Sequence, residues 1–195
     1  MLCGIISITI SIYTHISVVL FEKGRKLYSM NEKKIKTYKD SEAVLAEILL
    51  PYQANAAGNI HGGEIMKLMD STAGVSAMKY SGSNVVTARV DELQFKQPVH
   101  IGEHVICTGH VVYTGKSSME VFVTVEVEDL ITGKVTIALT AFFTMVAVNE
   151  HGRPIPVPPI EFSREPFLRA LYFEGQRRYE SHRHKGKLKR SELNG

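Results

Sequence analysis

The sequence predicts an α+β domain in which one long apolar helix lies inside a single curved antiparallel sheet of four to six strands. Three observations predict it. Residues 63–78 form one helical run whose apolar side chains point in nearly every direction. Four runs of strand character follow between residues 84 and 148, with no second helical pattern until residue 164. One further strand-like stretch precedes the helix. A helix that is apolar nearly all round needs cover on all sides, and a sheet curling about it supplies that. With 195 residues, 44% hydrophobic and 22% charged, the chain suits one soluble domain with a sizeable core.

The elements follow in order. Residues 1–21, MLCGIISITISIYTHISVVLF, carry no charge and are long enough to cross a bilayer. No basic region precedes them and no cleavage site follows, so they do not read as a secretory signal. Ser7, Thr9, Ser11, Thr14, His15 and Ser17 make them a weak anchor. The preferred reading of residues 1–29 is an apolar extension ahead of a true start at Met30; a weak anchor or an added structural segment are the alternatives. Membrane association is expected only if residues 1–21 are an anchor. All three readings leave the main domain in the cytoplasm, as do two cysteines, Cys3 and Cys107, too few for a disulfide framework or a metal cluster.

The main domain is expected over residues 36–160. Residues 42–49 suggest the first strand, PYQANAAGN a loop, and about Gly63 to Met78 the helix, closed by YSGS with Gly82. The run 84–97 keeps Val86, Ala88 and Val90 in phase and then shifts to Leu93 and Phe95, which predicts a bulge near Asp91–Glu92. Residues 104–114 form the next strand. In 118–128, Met119, Val121, Val123, Val125 and Val127 face one way while Glu120, Thr124, Glu126 and Glu128 face the other. Residues 134–148 follow after the DLITG turn. NEHGRPIPVPP is an exit strap, and Ser163 is placed to cap a final helix within 161–195 that runs into a basic tail. Residues 176–190 hold a local charge of +6 against +3 for the whole chain, so the remainder stands near −3. A near-neutral body with one basic tail is not the pattern of a nucleic-acid binder.

One residue does not fit the apolar helix. In NIHGGEIMKLMDSTAG, residues 59–74, Asp70 stands in the middle of the run and off the centre of the polar stripe Glu64, Lys67, Ser71. Burying an unpaired carboxylate costs several kcal/mol by rough estimate, so a mid-helix Asp in such a run implies either a satisfied core hydrogen bond or a site.

The stretch N-x-H-G-G-x-x-M-K-L-M-D at 59–70 resembles the acyl-CoA thioesterases of the hot-dog fold. VTARVDELQF (86–95), GKSSMEVFV (115–123), TAFFTMVAV (140–148), GRPIPVP (152–158) and EGQRRYESHR (174–183) are similar to the cytosolic acyl-CoA hydrolases related to the brain-type enzyme. The resemblance runs from about Lys36 to Lys185. It implies hydrolysis of acyl-CoA to fatty acid and coenzyme A with no cofactor and no metal. Asp70 is then general base or nucleophile, and Asn59 orients water or thioester. Gly62 and Gly63 let substrate approach the helix start, where free N–H groups favour an oxyanion and Gly63 counts as catalytic. His61 is a candidate substrate contact beside its packing role. Lys116, Ser117 and Ser118 are candidates for the coenzyme A nucleotide or pantetheine, with a plain polar hairpin as the alternative. Arg177 and Arg178 are candidates for its phosphates, against a simply solvated helix end. The resemblance further implies a homodimer whose sites take Asn59 and Asp70 from opposite subunits, commonly assembled as a trimer of dimers.

Other chemistries fail on the sequence. GHVVYTGKS (109–117) has five residues between Gly109 and Gly115 where a P-loop needs four, and a strand rather than a helix follows it. There is no G-x-S-x-G elbow, and HRH at 182–184 is the only metal-like spacing among the eight histidines. A hot-dog hydratase or dehydratase would pair a His with a carboxylate, whereas His61 follows Asn59 in the thioesterase pattern. A non-catalytic acyl-CoA sensor acting on transcription would need a DNA-binding module, and residues 1–41 show no helix-turn-helix pattern.

Overall fold

The computed structural model describes residues 19–22, 25–29, 35–91, 93 and 95–193. The chain divides into two units, Met1–Lys34 and Ile35–Gly195. In the first, strands β1 (Val19–Glu22) and β2 (Arg25–Ser29) pair antiparallel. The anchor and start readings of residues 1–18 and Met30 lie outside the described residues. Among the described residues no helix is long and apolar enough to cross a membrane.

The second unit carries β3 (Ala43–Ile48), α1 (Gly62–Ser81), β4 (Asn84–Val90), β5 (His104–Thr114), β6 (Ser118–Asp129), β7 (Lys134–Val148) and α2 (Pro166–Leu193). The five strands form one antiparallel sheet in the order β3-β5-β6-β7-β4. β3 and β4 are the two edges, and α1 joins them in sequence, so the helix must cross the sheet's face. Ile65, Met69, Thr72, Ala73, Ser76, Ala77 and Tyr80 recur at helical spacing and form its buried face. They pack against Val105, Cys107, Val111 and the buried row Met119, Val121, Val123, Val125 and Val127 of β6. Helix and sheet lie close together at Gly109, where an added Cβ would lie 3.1 Å from Thr72 Cγ2. Gly82 ends α1 at φ 68°, and its N–H returns to the Met78 carbonyl.

The expectation that α1 is covered on all sides is corrected here. The sheet covers one face, and Met66 and Met78 on the other remain 41% and 42% exposed. Asp70 lies on that outward face and is exposed, not buried. β4 shifts register between Thr87 and Arg89 and ends at Val90 rather than continuing to 97. The bulge expected near Asp91–Glu92 falls on Glu92, which lies outside the described residues. Nearly all of β4 is exposed on both faces, so burial does not pin its register the way it pins β6.

The second helix packs on the opposite face of the sheet. Tyr113 of β5 meets Tyr172 edge-on at 5.3 Å and Tyr179 at 5.4 Å. The Glu165 carboxylate accepts the N–H groups of Phe167 (3.1 Å) and Leu168 (2.7 Å), so Glu165 caps α2 rather than the expected Ser163. Because α2 covers this face, Glu120 is buried at 1% exposure although the alternation places it outward. Burial pushes its carboxyl up to about 7, while the Thr144 hydroxyl pulls it down, Asp91 raises it, and Arg178 and Arg89 lower it. A carboxyl raised in the folded state favours its protonated form there. Its contribution to stability therefore declines as pH rises from the ordinary Glu range toward 7. Glu120→Gln should flatten that decline in thermal melts taken between pH 5 and 8.

Gly175 sits where α2 touches β5, and an added Cβ would fall 2.8 Å from Tyr113 Cβ. That atom is no flexible tip and cannot swing away. Gly175→Ala should lift α2 from the sheet and cost about 1–3 kcal/mol, read as a lowered denaturation midpoint.

Candidate active site

The loop entering α1 is built by Asn55. Its N–H donates to the Asn59 carbonyl at 2.7 Å, and its own carbonyl accepts from Gly58, whose φ of 82° turns the chain back. Its side-chain Oδ1 accepts from the N–H groups of Ala57 (2.9 Å) and Asn59 (3.3 Å). With the oxygen held by backbone on one side, the Asn55 amide NH₂ is left to donate elsewhere. The loop is tied across to the segment before β5, since Ile60 N–H reaches the Val99 carbonyl and Asn59 bridges His100.

Between these segments lies a cavity of about 450 Å³. Asn55, Asn59 and Gly62 give it a polar side, and Ile60, Ile65, Phe95 and Val99 an apolar one. Asn59 and Gly62 thus line one cavity at the start of the helix. His61 has another task. Its Nδ1 accepts the Gly63 N–H at 3.1 Å, which makes His61 the N-cap of α1. The Gly63 N–H is therefore occupied within the fold. No described residue accepts the N–H of Gly62, which lines the cavity.

Asp70 is not in this cavity. It stands eight residues beyond Gly62, roughly 12 Å along the helix axis. The Thr87 hydroxyl of β4 donates to its Oδ1 at 2.6 Å, leaving the second carboxylate oxygen toward solvent. A carboxylate on a helix flank, oriented by a hydroxyl from a neighbouring strand, is held in direction without being neutralised.

The remaining candidates lie further off. Lys116, Ser117 and Ser118 occupy the β5–β6 turn, at the far end of β5 from His104, roughly 30 Å from the loop at Asn59. The Lys116 carbonyl accepts Val157 N–H from the Pro-rich strap, and the exposed Lys116 side chain points away. Arg177 is exposed and pairs with Glu174 at 2.6 Å. Arg178 is engaged within this chain. Its Nη1 is paired with Asp91, its Nε lies 2.8 Å from Glu174, and it stacks on Phe142. Among the described residues no group of three His, Cys, Asp or Glu side chains is arranged to hold a metal.

A single helix crossing the concave face of a five-stranded antiparallel sheet is the hot-dog arrangement, and its polar groups here gather at the helix start and flank. The thioesterase superfamily pattern matches residues 57–134. An uncharacterized acyl-CoA thioester hydrolase of Bacillus subtilis, YkhA, is 36% identical over 63% of this chain and 71% of its own. A crystal structure of an apo-hexameric acyl-CoA thioesterase superposes with a TM-score of 0.72 at 36% identity, over 77% of this chain and 96% of that one. The acyl-CoA hydrolase of Staphylococcus aureus, solved with butyryl coenzyme A and coenzyme A, gives 0.72 at 28% identity, over 83% and 99%. Alanine variants of that enzyme have been solved at an asparagine, at an aspartate 15 residues after it, and at a threonine 17 residues further on. This chain belongs to the thioesterase superfamily, among its acyl-CoA thioester hydrolases.

Proposed function

We propose that this chain hydrolyses acyl-CoA thioesters to the free acid and coenzyme A, with Asp70 as general base or nucleophile. The observation that carries the reading is Asp70 itself, an exposed carboxylate in the middle of the core helix, aimed by the Thr87 hydroxyl. As a base, its free oxygen takes a proton from water as the water oxygen attacks the thioester carbon. The C–S bond then breaks, and the proton passes to the departing thiolate. As a nucleophile, Asp70 attacks the thioester carbon and expels coenzyme A as its thiolate, which takes a proton from solvent; water then cleaves the mixed anhydride, releasing the acid and restoring the Asp70 carboxylate.

Asn55, rather than Asn59, is the carboxamide we assign to the reaction. Counting 15 residues back and 17 forward from Asp70 lands on Asn55 and Thr87, the spacings of the three altered positions in the Staphylococcus aureus enzyme. The local geometry favours the same choice, because of the two it is Asn55 whose side-chain oxygen is fixed by two backbone N–H groups, which leaves its NH₂ to donate elsewhere. Asn59 serves the loop through its backbone. The Gly62 N–H replaces that of Gly63 as the oxyanion donor at the positive helix end. Asn55→Ala should lower kcat/KM by roughly 10²–10³-fold, the range for a lost oxyanion-type donor, while Asn59→Ala stays within about tenfold of the parent.

Each site is shared between two chains. Asp70 lies outside its own chain's cavity, and the face that carries it exposes Met66 and Met78. The adjoining edge strand β4 exposes Val86 and Val90 along an unpaired backbone edge. A second copy laid against this face covers those apolar groups and brings its Asn55 toward Asp70. The hexameric relative supports a homo-oligomer, here a trimer of such dimers. Lys116, Ser117, Ser118 and Arg177 remain candidates for the nucleotide end of coenzyme A; Arg178 and His61 do not. Residues 36–160 carry the reaction in the cytoplasm, so deleting residues 1–29 should leave an active enzyme.

The deciding assay is release of free thiol from a panel of acyl-CoAs of different chain length. Turnover establishes the hydrolase. Binding of acyl-CoA without thiol release would favour a sensing module, and a hydrated or dehydrated acyl group would favour a hydratase.

A further inference from the structure

We infer that Arg178 and His182 of α2 are positioning residues for the active-site cavity, acting through Asp91 on the wall that carries Phe95. That the cavity serves thioester hydrolysis rests on the reading above; the coupling itself rests on four contacts.

The first is the attachment of the wall. Beyond β4, Asp91 N–H donates to the Phe142 carbonyl of β7 at 3.0 Å, and Lys96 N–H donates to the Ala138 carbonyl at 3.0 Å. These two ties hold the ends of the segment to β7. The second is what this segment touches. Phe95 falls between the two ties, with its ring 3.3 Å from where a Cβ on Gly62 would lie. Phe95, Lys96 and Gln97 line the cavity opposite Asn55. Asp91 and Lys96 are thus the two attachments of the segment that carries Phe95, and fixing Asp91 fixes one of its two ends.

The third contact is the clamp on Asp91. Its Oδ2 is paired with Arg178 Nη1, and its Oδ1 lies 3.5 Å from His182 Nε2. Arg178 and His182 are four residues apart and share one face of α2, so the Asp91 carboxylate is paired with one and lies beside the other on the same helix. The fourth fixes the direction of the grip. The Arg178 guanidinium sits 4.4 Å from the centroid of Phe142, the residue whose carbonyl holds the Asp91 N–H, and its Nε is beside Glu174 Oε1. Asp91 is therefore held from its backbone and from its side chain against one residue of β7. The side chains of Arg178 and Asp91 are only 26% and 14% exposed, although 87 residues separate them in sequence. A pair so placed recovers little net stability after desolvation, while a charge-assisted hydrogen bond between two half-buried groups specifies geometry.

The test uses the full chain. It contains no tryptophan, so Phe95→Trp places a single tryptophan in the cavity wall, excited selectively over tyrosine. In this background Arg178→Met and Asp91→Asn should each make the fluorophore more readily quenched by iodide, and Arg178→Lys should restore part of the protection. In the parent with Phe95 intact, the same variants should lower kcat/KM by about ten- to a hundredfold, the scale for a site displaced by up to an ångström. The loss should be equal for an acyl-CoA and for an S-acyl-N-acetylcysteamine, which has no phosphate. The double variant should be no worse than the worse single one. A loss confined to the acyl-CoA would overturn the proposal, because Arg178 would then be meeting phosphates. So would lowered melting temperature with quenching and kinetics unchanged. If Arg178→Met fails to fold, Arg178→Lys and the charge exchange Asp91→Arg with Arg178→Asp carry the same comparison. Quenching does not depend on turnover, so an inactive parent would sink the thioesterase reading and leave the coupling decided by fluorescence alone.

Discussion

Asp70→Asn should fold, assemble and bind acyl-CoA, and its turnover should fall by roughly 10²–10⁴-fold. The fold is expected to survive because Asp70 is exposed in the chain and its recorded partner is a hydroxyl, which an amide oxygen still accepts from. What the amide cannot do is take a proton from water or form an anhydride. Loss of kcat with KM nearly unchanged is the signature of an interaction made only in the transition state. Thr87→Val is the companion variant. It keeps the carboxylate and removes the hydroxyl that aims it, so kcat should drop by less than in Asp70→Asn. An Asp70→Asn protein with near-parental turnover would remove Asp70 from the mechanism. An unstable protein of parental specific activity would return it to the role of a structural hydrogen-bonding residue.

What could be read from the sequence, and what could not, divides along a physical line. Strands β5, β6 and β7 fall where the alternation puts them, because each has one face against α1 and the period of two decides which residues go there. The helix bounds were legible from Gly82 and the glycine pair at its entry. The end of β4 was not, since a strand exposed on both faces leaves no apolar phase to follow. Glu120 read as an outward residue because nothing local says that α2 covers the sheet's second face. Arg178 read as a free cation for the same reason: its partner Asp91 is 87 residues away and carries no local mark. Asn55 is different, for its signal was present. An Asn followed three residues later by Gly, in ANAAGN, is the pattern of a side chain that bonds its own loop. The N-x-H-G-G pattern at the helix entry points to Asn59 instead. Thr87 had no such signal, because only the curl of the sheet brings β4 alongside Asp70.

The shared site makes the sharpest expected result. If Asn55 and Asp70 of one site come from different subunits, a homodimer of Asn55→Ala chains and a homodimer of Asp70→Asn chains are both inactive, each lacking one partner at every site. Mixing them under conditions of subunit exchange gives dimers in which one site has lost both residues and the other has lost neither. With random pairing in equal amounts about half the dimers are mixed, so roughly a quarter of all sites should regain full turnover. Starting from preparations at or below about 1% of parental activity, that is a rise of at least twentyfold. The rise should be accompanied by mixed species in native mass spectra, and it should be absent when the chains are cross-linked before mixing. The geometry within one chain states the alternative clearly: Asp70 lies two turns along the helix from the cavity that holds Asn55 and points to the outward face. If both nevertheless act within one chain, every site in the mixture still lacks a residue. Activity that stays at the level of the separate variants, with exchange demonstrated, would sink the shared site and leave Asp70 and the hydrolase assignment to be judged on the single variants.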